Sequence, residues 1–465
     1  MLTDFLHAEP SSGDSQSHAV IVDIPSLAKS LEQELTRHRR LLGGSTPCTP
    51  TIGMVGKLTR NVDPQEYDPH HVSIGPYHRK RSPNVGRYND KLASLDAILA
   101  AATPGSKTKT VEVYLAELAT DEDRARSYYA NTFDDMTSCE FLRMLLLDAC
   151  FLLNWLVKGG GNQQEIDAVL RDVLFLVENQ IPYFVVDKVH KLTSSGAADI
   201  IVVPAWETMA GHLSQRILQK QQYTMATIKP PAAEPGNLLD LVHMHFLEPT
   251  TTRAISVTSS PTGQQQPVGR WRTAMEYHIS GVNLKGRPVG AGSTEASSIL
   301  DVKLDSGSGG TLVVPRLRID ADTGRILRNL VALEQQNPDV GSHVTAYCIF
   351  MSQIACTASD VELLSRRGVI VHLLGNHGEV ATFFSDLCKG VLFDPDDADR
   401  NYLRATCQEL DKWYRSRRRR WIALLWHKYL ANPWLAIGVM AAALGLISTL
   451  VQTLYTALSY YRSAQ

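Results

Sequence analysis

Apolar residues recur at helical spacing along most of this chain. In residues 24–40, Leu27, Leu31 and Leu35 fall four apart with charges between them, and Pro25 suits a first helical turn. Similar spacing predicts helices over 89–102, around 112–130, and on both sides of Pro182 within 166–189. Residues 139–157 are the most apolar part of the body. They are Leu-rich, lack Pro and Gly, and run into Gly159–Gly161, so they read as a central helix. A membrane span is the rival there, interrupted by Glu140, Arg143 and Asp148. Further helices are expected over 238–246, 325–334, 344–355, 361–366, 379–388 and 400–426.

Period-two alternation is rarer. Residues 299–304 and 311–319 predict a β-hairpin closed by the glycine-rich 305–310 loop. Residues 368–374 fit either a buried strand or a helical turn. Residues 52–80, punctuated by Pro64, Pro69 and Pro76, read as extended or irregular. Residues 1–20 are polar and read as disordered, and 43–50 read as a loop. The stretches 229–236 and 256–269 read as mobile insertions. The fold class expected is mostly α with a small β-hairpin or sheet (α+β), plus one C-terminal transmembrane helix. The body occupies 21–428 and the anchor 429–461.

The anchor is the strongest single signal. Residues 429–461 hold no charge, and 434–454 are almost wholly apolar. About 20 apolar residues cross a bilayer. Trp421, Trp426 and Trp434 precede the run and Tyr455, Tyr460 and Tyr461 follow or end it, as an interfacial belt requires. A buried helix of a soluble core is the alternative reading. Before the run lies a basic cluster, Lys412, Arg415, Arg417, Arg418, Arg419 and Arg420, which favours anionic headgroups of membrane lipid. The cationic side normally stays cytosolic, so a cytosolic body is expected. The first 15 residues lack the basic start and apolar run of a signal peptide. Gly438 with Ala442, and Ala441 with Gly445, have the small-x-x-x-small spacing that lets helices approach.

Composition adds mainly exclusions. The net charge of −2 gives no global field toward nucleic acid, so no nucleic-acid partner is expected. Seven scattered cysteines without a C-x-x-C pair suggest neither a disulfide framework nor a zinc site. Gly53-Met-Val-Gly56-Lys57-Leu-Thr59 has the wrong spacing for a phosphate loop and lacks the hydroxyl directly after lysine. No dinucleotide loop, nucleophile elbow or zinc helix is supported, and no cofactor or metal is expected. His243 and His245 lie on a predicted helix, where positions two apart diverge.

Several polar positions stand in apolar or turn contexts. Gly75-Pro76 forces a tight turn that fixes Tyr77 and His78. Asp148 inside LRMLLLDACFLLNWL needs a cation or several donors, for which Arg126 and Arg143 are candidates. Glu178, Asn179 and Gln180 end an apolar run before Pro182, and Asn329 and Glu334 lie on a short amphipathic helix. One reading makes Arg126, Asp148, Glu178, Asn179, Gln180, Asn329 and Glu334 a buried polar network that specifies the fold. The other makes Tyr77, His78, Asp148 and Glu178 the catalytic groups of a pocket.

These strings, taken in order, resemble the plant family called domain of unknown function 247. The match rests on VSIGPYH (72–78), ARSYY (125–129), EFLRMLLLDACFLL (140–153), ENQIPYFVV (178–186), SILDVKL (298–304), LVVPRLRID (312–320), RNLVALEQ (328–335), VTAY (344–347) and the PW before the apolar run. Ala149 stands where the family commonly has glycine. The resemblance implies a plant protein with a C-terminal span at the plasma membrane and no established chemistry. Some grass members resemble pollen determinants of self-incompatibility. Departures concentrate in 190–235 and 255–295, and variable loops on a constant scaffold are where recognition resides. The function expected is membrane-anchored recognition or signalling. Its partner would be a protein or peptide held by variable loops, with homo- or hetero-oligomers open. The alternative is a transferase or hydrolase with a polar pocket at the GPYH and ENQIP segments.

Overall fold

A computed structural model describes residues 51–79, 86–101, 110–158, 163–194, 217–225, 234–247, 270–305, 310–415 and 433–463, with Lys29, Glu32, Leu35 and Gln215. Residues 1–48 form a unit of their own, in which Lys29, Glu32 and Leu35 are helical and exposed. The expectations for 1–20, 43–50 and 256–269, and for most of 229–236, lie outside the described residues.

The rest is mostly helical with two small sheets. In order come α1 (Lys57–Arg60), a 3-10 turn (Pro64–Tyr67), α2 (Tyr88–Ala101), α3 (Val111–Ala119), α4 (Glu122–Ser127), α5 (Ser138–Lys158), α6 (Gln163–Phe175), α7 (Tyr183–Ser194), α8 (Leu238–Leu247) and α9 (Ala274–Ile279). Strands β1 (Asn283–Arg287), β2 (Lys303–Asp305), β3 (Thr311–Pro315) and β4 (Leu317–Ile319) follow. Then come α10 (Thr323–Gln336), α11 (His343–Ile354), α12 (Ala358–Arg366), β5 (Ile370–His372), α13 (His377–Leu387), α14 (Arg404–Arg415) and α15 (Pro433–Ser463).

Local chemistry sets several of these boundaries. Thr273 with Glu276 and Thr357 with Asp360 form reciprocal capping boxes at α9 and α12. Asn376 accepts the Glu379 amide at 3.0 Å to start α13. The expected 112–130 helix is two, α3 and α4. They are separated at Thr120–Asp121, where Lys188 meets Asp121 at 2.7 Å. The helix expected from residue 400 begins at Arg404, after Asn401 turns the chain by accepting the Leu403 amide at 3.1 Å. Residues 52–80 are largely irregular, as expected, apart from α1 and the 3-10 turn.

The predicted hairpin is present, but it pairs over only three residues, Lys303–Asp305 against Thr311–Val313. The polar strand β1 lies parallel on the other side of β3, a pairing that its sequence did not signal. Residues 370–372 are a strand, parallel to β4.

Helix α5 lies against α2, α3 and α7 in one part of the core, and α10 lies against α6, α8, α11 and α13 in another. The finding of most consequence concerns α10, where the buried polar network expected at Asn329 and Glu334 extends along the helix. Its sequence reads as amphipathic, yet every residue from Thr323 to Glu334 is buried. Its polar face points at polar groups inside the protein rather than at water.

At the other extreme, the stretch Met440–Ser459 of α15 has mean hydropathy 1.5, is long and apolar enough to cross a membrane, and has no buried residue. Gly75 packs directly against the backbone of the ENQIP segment. Its φ is +72°, and a Cβ there would lie 2.3 Å from the Gln180 carbonyl oxygen. Gly75→Ala is therefore expected to destabilise the protein by at least about 1–3 kcal/mol. Gly56→Ala, where nothing lies within 4 Å of the added carbon, is its control. Thermal melting of the full chain in detergent reads both, and equal melting points would contradict this account.

Candidate functional site

The GPYH and ENQIP strings meet in the interior. Residues 70–78 form neither helix nor strand there, so their amides need partners from side chains. Asp172, fully buried on α6, accepts the amides of His70 at 2.9 Å and Val72 at 3.1 Å, and that of His71 on the same oxygen. Its other oxygen accepts Arg325 at 3.0 Å. Asn179 accepts the Ile74 amide at 2.6 Å and donates to the carbonyls of Val72 and Asp172 at 2.9 and 3.0 Å. Asp148 accepts the Gly75 amide at 2.8 Å.

The cation beside Asp148 is Lys91, at 2.6 Å, which also donates to the Ser73 carbonyl. This corrects the expectation for Arg126 and Arg143. Arg126 pairs with Glu122 at 2.8 Å and stacks on Phe141, while Arg143 reaches the Tyr88 hydroxyl. Lys91 lies on α2, which packs along α5 and so delivers its ammonium to the middle of that helix.

Glu178 occupies the turn between α6 and α7 with no exposure. It accepts the Val55 amide at 2.8 Å and Arg60 at 2.7 Å. Arg60 also pairs with Asp68. His78 stands between the same two carboxylates, 3.7 Å from Asp68 and 3.4 Å from Glu178, with neither ring nitrogen in hydrogen-bonding geometry. Burial alone would push the Glu178 carboxyl up. The adjacent His78, the Val55 amide and Arg60 outweigh it and hold the group below the usual carboxylate range. Tyr77 donates toward the Ile52 carbonyl and Asn131 at 3.3 and 3.1 Å and packs edge-on against Tyr129 and Phe133. Burial pushes its hydroxyl up to about 12, which keeps it protonated at neutral pH.

The remaining residues of the expected network serve other backbone ends. Gln180 donates to the carbonyls of Val173 and Leu176 at 2.7 and 2.9 Å and accepts the first amide of α8 at 3.1 Å. Asn329 accepts the Val177 amide at 3.0 Å and donates to the Glu66 carbonyl at 2.9 Å. Glu334 accepts the Val344 and Thr345 amides that open α11 and meets His243 at 2.8 Å. His243 is thus a partner of Glu334. Among the described residues no three His, Cys, Asp or Glu side chains are placed to hold a metal ion.

The loop Gly53–Thr59 is also engaged. The Gln336 carboxamide accepts the Gly53 amide and donates to its carbonyl, both at 3.1 Å. A neighbouring cavity of about 220 Å³ is lined by Asp63, Glu66, His70, His71, Arg171, Asp322 and Arg325, among others, and by none of Tyr77, His78, Asp148 or Glu178. Two ion pairs lie in its walls, Arg171 2.8 Å from Asp322 and Arg325 3.8 Å from Glu66. Burial raises the Glu66 and Asp322 carboxyls and lowers His70.

Sequence reasoning missed Asp172, Lys91, Arg60, Asp68 and Arg325. Asp172 carried a usable signal: it sits in LRDVLFLV as Asp148 sits in its own apolar run, with the same need for donors. The basic cluster is only partly described. Lys412 and Arg415 are exposed on α14, Arg415 pairs with Asp411 at 2.7 Å, and 417–420 lie outside the described residues.

Removing one side of these buried pairs strands the other. Glu178→Gln is expected to cost about 3–5 kcal/mol at neutral pH. Because the folded carboxyl lies below its ordinary 4.5, the charge contributes fully above that pH and loses its contribution as pH falls through the lower folded value. The stability gap between wild type and Glu178→Gln should therefore shrink below pH 4.5. A gap that stays constant in acid denaturation would contradict this assignment.

The family described as plant protein of unknown function, DUF247, matches residues 52–448. The UPF0481 protein At3g47200 of Arabidopsis thaliana is 25% identical over 433 residues, covering 86% of this chain and 84% of its own. The putative UPF0481 protein At3g02645 of the same plant is 23% identical over 519 residues, covering 92% and 93%. No solved structure matches. With the family match running from the first bridge at Ile52 into the apolar helix, and the GPYH and ENQIP strings locked together at its centre, this chain belongs to the plant domain of unknown function 247 family.

Proposed function

We propose that this protein is a single-pass membrane protein, held by α15 with its body on the cytosolic face, that works by recognition rather than catalysis. The observation that carries the membrane part is the complete exposure of the apolar stretch Met440–Ser459. Twenty such residues are favoured in hydrocarbon and costly in water. The basic residues before it, two of them at the end of α14, complement anionic lipid and favour retention on the cytosolic side.

The recognition part is supported by how the interior polar groups are spent. Asp148, Glu178, Asn179, Gln180, Asn329 and Glu334 each hold backbone or a paired charge. A body built this way is a stiff scaffold, and the segments 190–235 and 255–295 lie outside the strings that carry the family resemblance. A protein or peptide partner bound there would make the body a signalling adaptor at the plasma membrane. Self-recognition between pollen and stigma is one form of that role.

Two measurements test the reading. Leu444→Arg with Leu450→Arg in the full chain adds about 2.5–3.5 kcal/mol of insertion cost per charge. It is expected to move the protein from the carbonate-resistant membrane pellet to the supernatant. Protease added outside intact cells is expected to leave the body whole. Digestion would reverse the orientation, and an unchanged soluble wild type would end the anchoring proposal.

A further inference from the structure

We propose that the cavity between the 3-10 turn, α6 and the start of α10 binds a small aliphatic amine, whose ammonium group is held by Asp63 and Glu66. The space measures about 220 Å³, with Asp63 and Glu66 contributed by the turn and Ala168, Arg171, Asp322 and Arg325 by the two helices and the approach to α10. Drug-sized ligands occupy roughly 300–1,000 Å³, so this cavity suits a smaller molecule.

The charges around the space do not balance. Arg171 is engaged by Asp322 at 2.8 Å. Arg325 is engaged deeper in the protein, by Asp172 at 3.0 Å and by the carbonyls of Gln65 and Asp68, both at 3.1 Å. Its Nε stays 3.8 Å from Glu66, beyond hydrogen-bonding reach. The Glu66 carboxylate accepts no hydrogen bond from any described residue, although its side chain is only 21% exposed. Asp63, three residues earlier, has no side-chain partner among them either. Burial and then Asp63 raise the Glu66 carboxyl above its ordinary value, against the pull of Arg325 and Arg328. Two sheltered carboxylates thus face one cavity without a counter-charge of their own.

A positive group completes that wall. Among the described residues no three His, Cys, Asp or Glu side chains are placed to hold a metal ion, and a hard divalent cation takes about six or more oxygen ligands. An ammonium asks for less, since its three N–H donors can serve both carboxylates. Arg325 joins the site to the fold. The same side chain borders the cavity and holds Asp172, which accepts the amides of His70 and Val72. Occupancy therefore bears on the irregular segment at the centre of the body, independently of the membrane anchor.

The test titrates the full chain in detergent with diaminobutane at constant ionic strength, read by calorimetry and by thermal melting. Saturable one-to-one binding with a raised melting temperature is expected. Butanediol, of the same length without charge, should give neither. Glu66→Gln should weaken binding about tenfold or more. Because that carboxylate accepts no hydrogen bond, the variant should melt no lower than wild type when no amine is present. Ala168→Leu fills the cavity without altering charge and should also weaken binding. Asp96→Asn removes the same charge from an exposed position on α2 and should bind like wild type. The proposal is overturned by an absence of saturable binding, by Glu66→Gln binding like wild type, or by Asp96→Asn weakening it equally. Magnesium chloride that binds as tightly and displaces the diamine would overturn the amine in favour of a general cation site.

Discussion

From the exposed His70 and His71 a piece of chain without regular secondary structure enters the interior, and from Val72 to Pro76 it is buried, so its amides there need acceptors within the protein. Asp172, Asn179 and Asp148 supply the missing acceptors, reaching five of the six amides from His70 to Gly75. An orphaned amide costs about 1–3 kcal/mol, so leaving this segment unserved would consume much of a domain's ordinary margin. The acceptors are themselves charged or amide groups and need partners in turn. Arg325 serves Asp172 and Lys91 serves Asp148. The interior polarity of the protein grows outward from this one stretch of backbone.

That growth explains the buried polar face of α10. Arg325 reaches back to Asp172 and to the carbonyls of Gln65 and Asp68, and Asn329 ties the α6 end to the 3-10 turn. Glu334 caps α11. A helix with this pattern on a surface would spend those groups on solvent. Here the same groups join α6, α10, α11 and the irregular segment. Breaking any one pair leaves an uncompensated charge, which is why such groups are poor targets for neutral substitution. Catalytic service would draw the same atoms away from the bonds that keep the segment in place.

The sequence made part of this legible. Helices α2, α5, α11 and α13 follow from spacing, and a hydrophobic run must bury, so the core along α5 was foreseeable. Asp148 and Glu178 were legible too, because a carboxylate in an apolar run demands partners. The identity of those partners was not. Lys91 lies 57 residues before Asp148, and Arg325 lies 153 after Asp172. Nothing in local spacing distinguishes Lys91 from Arg126 or Arg143; only the packing of α2 along α5 does. Strand β1 escaped for a related reason. Asn283-Leu-Lys-Gly-Arg287 buries one side chain and gains its order from β3, a partner distant in sequence.

One physical rule then reads differently at the two ends of the protein. In the body, the amides of the irregular segment and the carboxylates that serve them meet counterparts within the same chain, and this holds the segment in one conformation. Along α15 the hydroxyls of Thr449, Thr453 and Thr456 follow the same rule, each donating to the carbonyl four residues back. The apolar stretch Met440–Ser459, none of it buried against the body, is where the demand for burial is left unmet within the described residues.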